Sequence, residues 1–304
     1  MLLAAFGIIG LQLYQRMVKS SKYIVVSGKS PSAELTKLGK WKLPVSIVLG
    51  VLVFLAAFAP IAAAFFTSLI RAYGAPITWA NLTFNNYVKL FNIESIQRAM
   101  TNSFTLSAAS GIVIAFLGLI IAYMIIRMNK RGSRLVEGLI AVPYAVPGTI
   151  VALSMILAFL NPIPVINLAL YNTYWILFIA YLARFMNLGL QTLSGAVSQI
   201  HPSLEEASRI SGATPMRAFW DIMLPLLRPS FYAAFFLVMI PALGEITLSS
   251  LLWSVGNETI GVLVFSMQEE GKVRLTAGMG SILIAAVFLL NTIVKIVSKG
   301  KMGI

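Results

Sequence analysis

Apolar residues in this chain gather into long unbroken runs, separated by short stretches where the charges collect. Runs near the roughly 20 residues that a helix needs to cross a hydrocarbon core read as membrane spans. Six qualify: Leu43–Ile70, Asn102–Ile126, Leu135–Leu160, Tyr174–Leu190, Phe231–Leu252 and Ser281–Val297. Another run, Met1–Leu13, holds about thirteen residues and is too short to span. Its basic residues Arg16, Lys19 and Lys22 follow the apolar core, whereas a signal peptide carries them in front. Residues 1–13 therefore read as the end of a membrane helix, with a truncated or split fusion protein as the expectation. Residues 14–42 read as a basic cytoplasmic linker, and 43–304 as the membrane domain. Between the first two spans, Trp79–Arg98 mixes aromatic and polar groups, which predicts a short helix along the membrane face.

Composition agrees with the pattern. The chain has 304 residues, 59% of them hydrophobic and 11% charged, with a mean hydropathy of +0.88. A soluble domain would carry roughly twice the charged fraction. The net charge of +13 is no sign of nucleic acid, because Lys and Arg fall in alternate loops. Seventeen lie in residues 14–42, 127–134, 198–229 and the tail, against five in the intervening loops. That asymmetry places the first set in the cytoplasm. The chain has no cysteine and one histidine, His201, so a metal site built on thiolates or several imidazoles is excluded. Gly28-Lys29-Ser30 resembles part of a phosphate loop, but Tyr23 stands where the first Gly is required. No Ser-His-Asp set is present either, and the chain offers no candidate catalytic residues.

The most ordered stretch lies in the cytoplasmic loop 198–229. Ser203 and Glu206 have the spacing of a capping box, Gly212 can supply a left-handed helix stop, and Thr214 precedes Pro215 as a second cap. Phe219, Ile222 and Met223 share one face of that second helix, and Pro225 is expected to stop it. The loop thus reads as a helical hairpin with an apolar face, a docking element for another protein.

The run Glu206-Ala207-Ser208, then Gly212, then Ile222, Leu224 and Pro225 resembles the EAA loop of ABC importer permeases. Ser208 and Ser211 depart from the usual Ala and Asp, both as small residues. The resemblance implies an all-α membrane protein with the six-transmembrane-helix type I ABC importer permease fold, plus an N-terminal partial helix. It implies a multi-pass protein of a bacterial or archaeal inner membrane, coupled to an ABC ATPase through Glu205, Glu206, Ala207, Gly212, Phe219, Ile222, Leu224 and Pro225. The other implied partners are an extracytoplasmic binding protein and a second permease half or copy. ATP would be bound by the ATPase subunit, with no cofactor in this chain and no catalysis of its own.

Gly244–Leu248, Leu252–Ser254 and Asn257–Leu263, with Tyr14, Arg16 and Tyr23–Lys29, look like the iron(III)-type branch, in which two halves are often fused. Polyamine, thiamine, phosphonate and sulfate permeases share much of this pattern, and a secondary transporter is the rival from another class. Candidates for the translocation path are Pro143 and Pro147, which with Gly148 interrupt the third span, and Glu245 in the fifth. Freed carbonyls at a membrane proline are tolerated where they line a cavity or are buried in protein, so a structural kink and a path role both stay open. A carboxylate at the depth of Glu245 needs a partner or water. Arg184 could be that partner or could snorkel to the cytoplasmic edge. Glu258, Glu269 and Glu270 read as a solvating outer surface, and His201 as an ordinary interfacial residue.

Overall fold

The computed structural model describes residues 38–72, 74, 78–128, 132–162 and 169–297. The partial helix expected at residues 1–13 and the first part, 14–37, of the linker expected over 14–42 lie outside them. The chain divides into two units, residues 1–55 and 56–304. Helix α1 (Lys42–Val53) of the first unit is apolar all round, and every residue except Val45 is exposed. Such a surface suits lipid.

The second unit runs α2 (Ala59–Leu69), α3 (Asn85–Phe91), α4 (Glu94–Met128), α5 (Ser133–Ala145), α6 (Gly148–Phe159), α7 (Tyr174–Gln199), α8 (Ser203–Ile210), α9 (Pro215–Ala218), α10 (Leu224–Leu243), α11 (Ser249–Leu252), α12 (Ile260–Glu269) and α13 (Val273–Val297). No strand occurs among the described residues; Ile70 and Leu82 form one isolated bridge. Five helical runs are long and apolar enough to cross a membrane: Gly39–Leu69, Glu94–Arg127, Tyr174–Gln199, Pro215–Leu243 and Val273–Ile296. The pair α5–α6 makes a sixth if taken as one span bent by 108°. The short helix expected before the second span is α3.

Helices α4, α7 and α10 pack against one another around two buried clusters. One gathers Leu106, Tyr181, Val238 and Leu248, the other Leu119, Leu193, Met223 and Leu227. Lipid offers no hydrophobic drive for helix association, so close approach at small residues has to supply the packing. At Gly189 a Cβ would stand 2.4 Å from Cγ2 of Ile114, and at Gly111 one would stand 2.9 Å from the Phe235 ring. The α4 contacts with α7 and α10 are therefore set by glycine.

Two spans differ from the sequence reading. The third is broken at Val146–Pro147, far more sharply than a proline kink. The fifth does not run to Leu252: α10 ends at Leu243, and Glu245 sits in the turn before α11. Pro225 does not stop a helix. A π turn, Phe219–Met223, joins α9 to α10, with the Leu224 N–H bonded to the Phe219 carbonyl. Its extra residue per turn shifts the register just where Pro225 lacks a donor, so Pro215–Leu243 continues as one helical span.

The two breaks meet. The Gly148 end of α6 abuts Thr247, so closely that a Cβ on Gly148 would lie 2.2 Å from Thr247 Oγ1. Each break carries one charge aimed at its free backbone groups. Arg184 Nη1 donates to the carbonyls of Pro143 (2.7 Å), Tyr144 (3.0 Å) and Val146 (2.6 Å), the negative end of α5. The Glu245 carboxylate accepts from the N–H groups of Leu248 (3.0 Å) and Ser249 (3.1 Å) and from the hydroxyls of Thr247 (2.5 Å) and Ser249 (3.2 Å). Tyr181 and Ser249 share a hydrogen bond of 2.7 Å that ties this turn to α7. Arg184 therefore neither pairs with Glu245 nor reaches for the cytoplasmic edge; each satisfies a different break.

Two expectations follow. Glu245→Gln puts an amide NH2 among donors and should cost about 1–3 kcal/mol, read as a lower unfolding temperature of the purified protein in detergent; an unchanged temperature would show the turn does not need the carboxylate. A Cβ on Gly261 would meet the Glu245 backbone carbonyl at 2.3 Å, whereas one on Gly138 meets nothing within 4 Å. Gly261→Ala should destabilise by about 1–3 kcal/mol, and Gly138→Ala should be neutral or stabilising.

Candidate functional site

The Ser203–Pro225 hairpin is built as two short helices around a glycine. Gly212 has φ +92°, and the Ala213 N–H bonds back to the Ser208 carbonyl (3.1 Å) while the Gly212 N–H bonds to that of Arg209 (3.0 Å). This pair of bonds closes the C-terminus of α8. Thr214 caps α9, accepting from the Arg217 N–H at 3.3 Å, with Pro215 in the first turn. The other expected cap is different. Helix α8 starts one residue early, so Pro202 is its cap and Ser203 is already helical. The Ser203 hydroxyl turns back to His201 Nδ1 at 2.7 Å, and no capping box with Glu206 forms. His201, expected to be an ordinary interfacial residue, thus braces the start of the hairpin.

The apolar face also points elsewhere than the sequence implied. Met223 is wholly buried, Phe219 packs edge-on against Tyr123 with ring centroids 5.0 Å apart, and Ile222 and Leu224 are half-buried. These residues hold the hairpin to its own span instead of offering it outward. The outward surface carries Glu206 and Ala207, with Ile210 at 88% and Met216 at 68% exposure. Glu206, Arg209, Ile210, Ala213 and Pro215 line a shallow depression of about 600 Å³ between α8 and α9. Ile210 and Met216 escaped the sequence reading because the packing of Phe219 and Met223 could not be separated from their helical spacing.

Glu205 departs most from expectation. It faces inward, accepting from the Tyr123 hydroxyl at 2.8 Å and pairing with Arg127 Nε at 2.9 Å. Arg127 Nη2 also donates to the carbonyls of Val197 (3.3 Å) and Ile200 at the end of α7. Pro225 lies exposed at the start of α10. Pro147 precedes the Gly148 that abuts Thr247, two residues from Glu245; the Pro143 carbonyl is held by Arg184, and Glu245 is 9% exposed with its carboxylate engaged.

On the opposite side, Glu258 is buried against α4. It accepts from the Gly256 N–H at 3.1 Å and lies 3.7 Å from Arg98 Nε. Burial alone would raise its carboxyl, but those backbone donors and Arg98 outweigh it and hold the pKa below the ordinary carboxylate value. Glu258 thus braces the outer loop, in contrast to the solvating role expected of it. Glu270 pairs with Lys272 at 2.5 Å.

The ferric transport system permease protein FbpB of Actinobacillus pleuropneumoniae is 26% identical over 287 residues, 93% of this chain and 41% of that protein. The putrescine transport system permease protein PotI of Escherichia coli K12 is 25% identical over 219 residues, 71% of this chain and 77% of the relative. The chain thus spans about two-fifths of the ferric relative's length. Among solved structures, the bacterial alginate ABC transporter in complex with its alginate-bound periplasmic protein matches with a TM-score of 0.68 at 18% identity, covering 87% of this chain and 96% of that one. The MetNI methionine ABC transporter matches at 0.54 and 19%, covering 69% and 99%. Residues 114–299, which hold the hairpin and both breaks, match the model of the binding-protein-dependent transport system inner membrane component, and the chain belongs to that family.

Proposed function

We propose that this chain forms part of the transmembrane path of an ATP-driven importer and couples it, through the Ser203–Pro225 hairpin, to a separate ABC ATPase. The observation that carries this is the hairpin itself. A glycine-closed pair of helices exposes a carboxylate and two apolar side chains to the cytoplasm while its other face is locked to the spans. An exposed Ile210 and Met216 beside Glu206 make a surface that a protein groove with a basic rim would cover. A binding protein, the kind of partner present in the alginate complex, would meet the outer loops, and a second permease half would complete the path. The cargo supported best by likeness is ferric iron.

Among the described residues no group of three or more His, Asp or Glu could hold a metal ion. In this reading selection rests with the binding protein, and the path only passes what is delivered. The likeness to PotI supports a polyamine as the second reading. That reading loses its best intramembrane carboxylate, because Glu245 is already engaged by four donors.

Ile210→Asp and Met216→Asp should each reduce co-purification of the ATPase about tenfold, with the permease still inserted and monodisperse; Phe219→Ala, at a half-buried ring, should instead destabilise the permease by about 1–3 kcal/mol. Undiminished ATPase recovery in the Ile210→Asp, Met216→Asp double variant would overturn the docking surface. At Gly212, a valine cannot hold φ +92° without strain, so Gly212→Val should abolish transport in proteoliposomes while leaving membrane insertion intact.

A further inference from the structure

The ends of three spans and both halves of the hairpin converge on one turn of α4. Tyr123 and Arg127 stand four residues apart on its last turns and so share a face. Arg127 and Glu205 have side chains only 12% and 14% exposed. The guanidinium joins Glu205 on α8 to the carbonyls of Val197 and Ile200 at the end of α7. The Tyr123 hydroxyl holds the other oxygen of Glu205, and its ring holds Phe219 in the π turn beyond α9. One side-chain cluster therefore grips α8, the α9 side of the hairpin and α7 together.

Without this cluster α8 would be attached mainly through Ile200 at its start and through the packed second half of the hairpin, where Met223 is buried, and a force on α8 would rotate it between them. With it, Glu205 cannot move relative to α4 unless a shielded ion pair opens, and opening leaves both charges poorly solvated. Neighbouring residues divide the work. Glu206 faces out, and Glu205, about 100° further round the helix, faces in.

We propose that Arg127, Tyr123 and Glu205 are the positioning residues that transmit movement of the hairpin to α4 and α7, so that ATP hydrolysis is converted into transport only while this clamp is closed. The proposal rests on the coupling role given above to the hairpin.

The test uses the transporter assembled with its ATPase and binding protein in proteoliposomes, measuring ATP hydrolysis and uptake in the same sample. The chain has no cysteine, so Ala207→Cys on the outward face can be crosslinked to a cysteine on an otherwise cysteine-free ATPase without background from this chain. No crosslink would overturn the coupling reading itself, and the clamp with it. With the crosslink present, Glu205→Gln and Arg127→Gln should lower substrate moved per ATP at least about tenfold, with hydrolysis continuing. Tyr123→Phe keeps the ring and loses only the hydroxyl; it should fold normally and lower the ratio about two- to fivefold. Arg127→Lys restores the charge and should recover part of the ratio lost in Arg127→Gln. A wild-type ratio in Tyr123→Phe and in whichever charge variants assemble, with only yield or thermal stability reduced, would make the cluster a structural brace and overturn the proposal.

Discussion

Inside a bilayer no water is available to a backbone N–H or C=O, and an unpaired one costs several kcal/mol. This chain breaks one apolar helix pair at Val146–Pro147 and ends a span at Leu243 just before the turn that leads into α11, so it must find partners for both sets of freed groups. Arg184 supplies donors to the carbonyls of the first break, and Glu245 supplies acceptors to the amides of the second. The two charges look like a buried ion pair in sequence, yet each is neutralised by backbone dipoles. Gly148 then lets one break rest directly on the other at Thr247.

The same economy governs the hairpin end. Arg127 satisfies the last carbonyls of α7 and, with its remaining edge, the carboxylate of Glu205. Helix termini and ionisable groups are matched in sign at each of these places, as the helix dipole requires. The family's shared pattern around Gly212 thus sits on a base held by charge, and the apolar residues of the second half of the loop complete that base from below.

Much of the fold was legible in the runs of apolar residues, because crossing a bilayer demands length and hydrophobicity that little else demands. Helices α4, α7 and α13 coincide with predicted spans, only longer, since polar turns at their ends carry no hydrophobic signal. The end of the fifth span was not legible: Gly244-Glu245 sits between apolar stretches on both sides, and hydropathy averages over a five-residue turn. Gly212 and Thr214 were read correctly because a left-handed turn and a cap are local. Ser203 was misread because His201, outside the capping pattern, competes for its hydroxyl. The direction of Phe219 and Glu205 depends on Tyr123 and Arg127, some eighty to a hundred residues away, and no local rule reaches that far.

The π turn that carries the chain past Pro225 has a mechanical consequence. Because the helix does not stop there, Pro215–Leu243 is one helical run of 29 residues that carries Pro229 and Pro241 inside it, about 43 Å of helix at 1.5 Å per residue. One end is part of the hairpin, and the other is joined through Gly244 to Glu245 and the meeting of the two breaks. A tilt of about 5° about the hairpin end sweeps the far end through about 4 Å, on the scale of one helical turn. Small angular changes at the hairpin are thereby magnified where the α5–α6 pair is broken and α10 has ended.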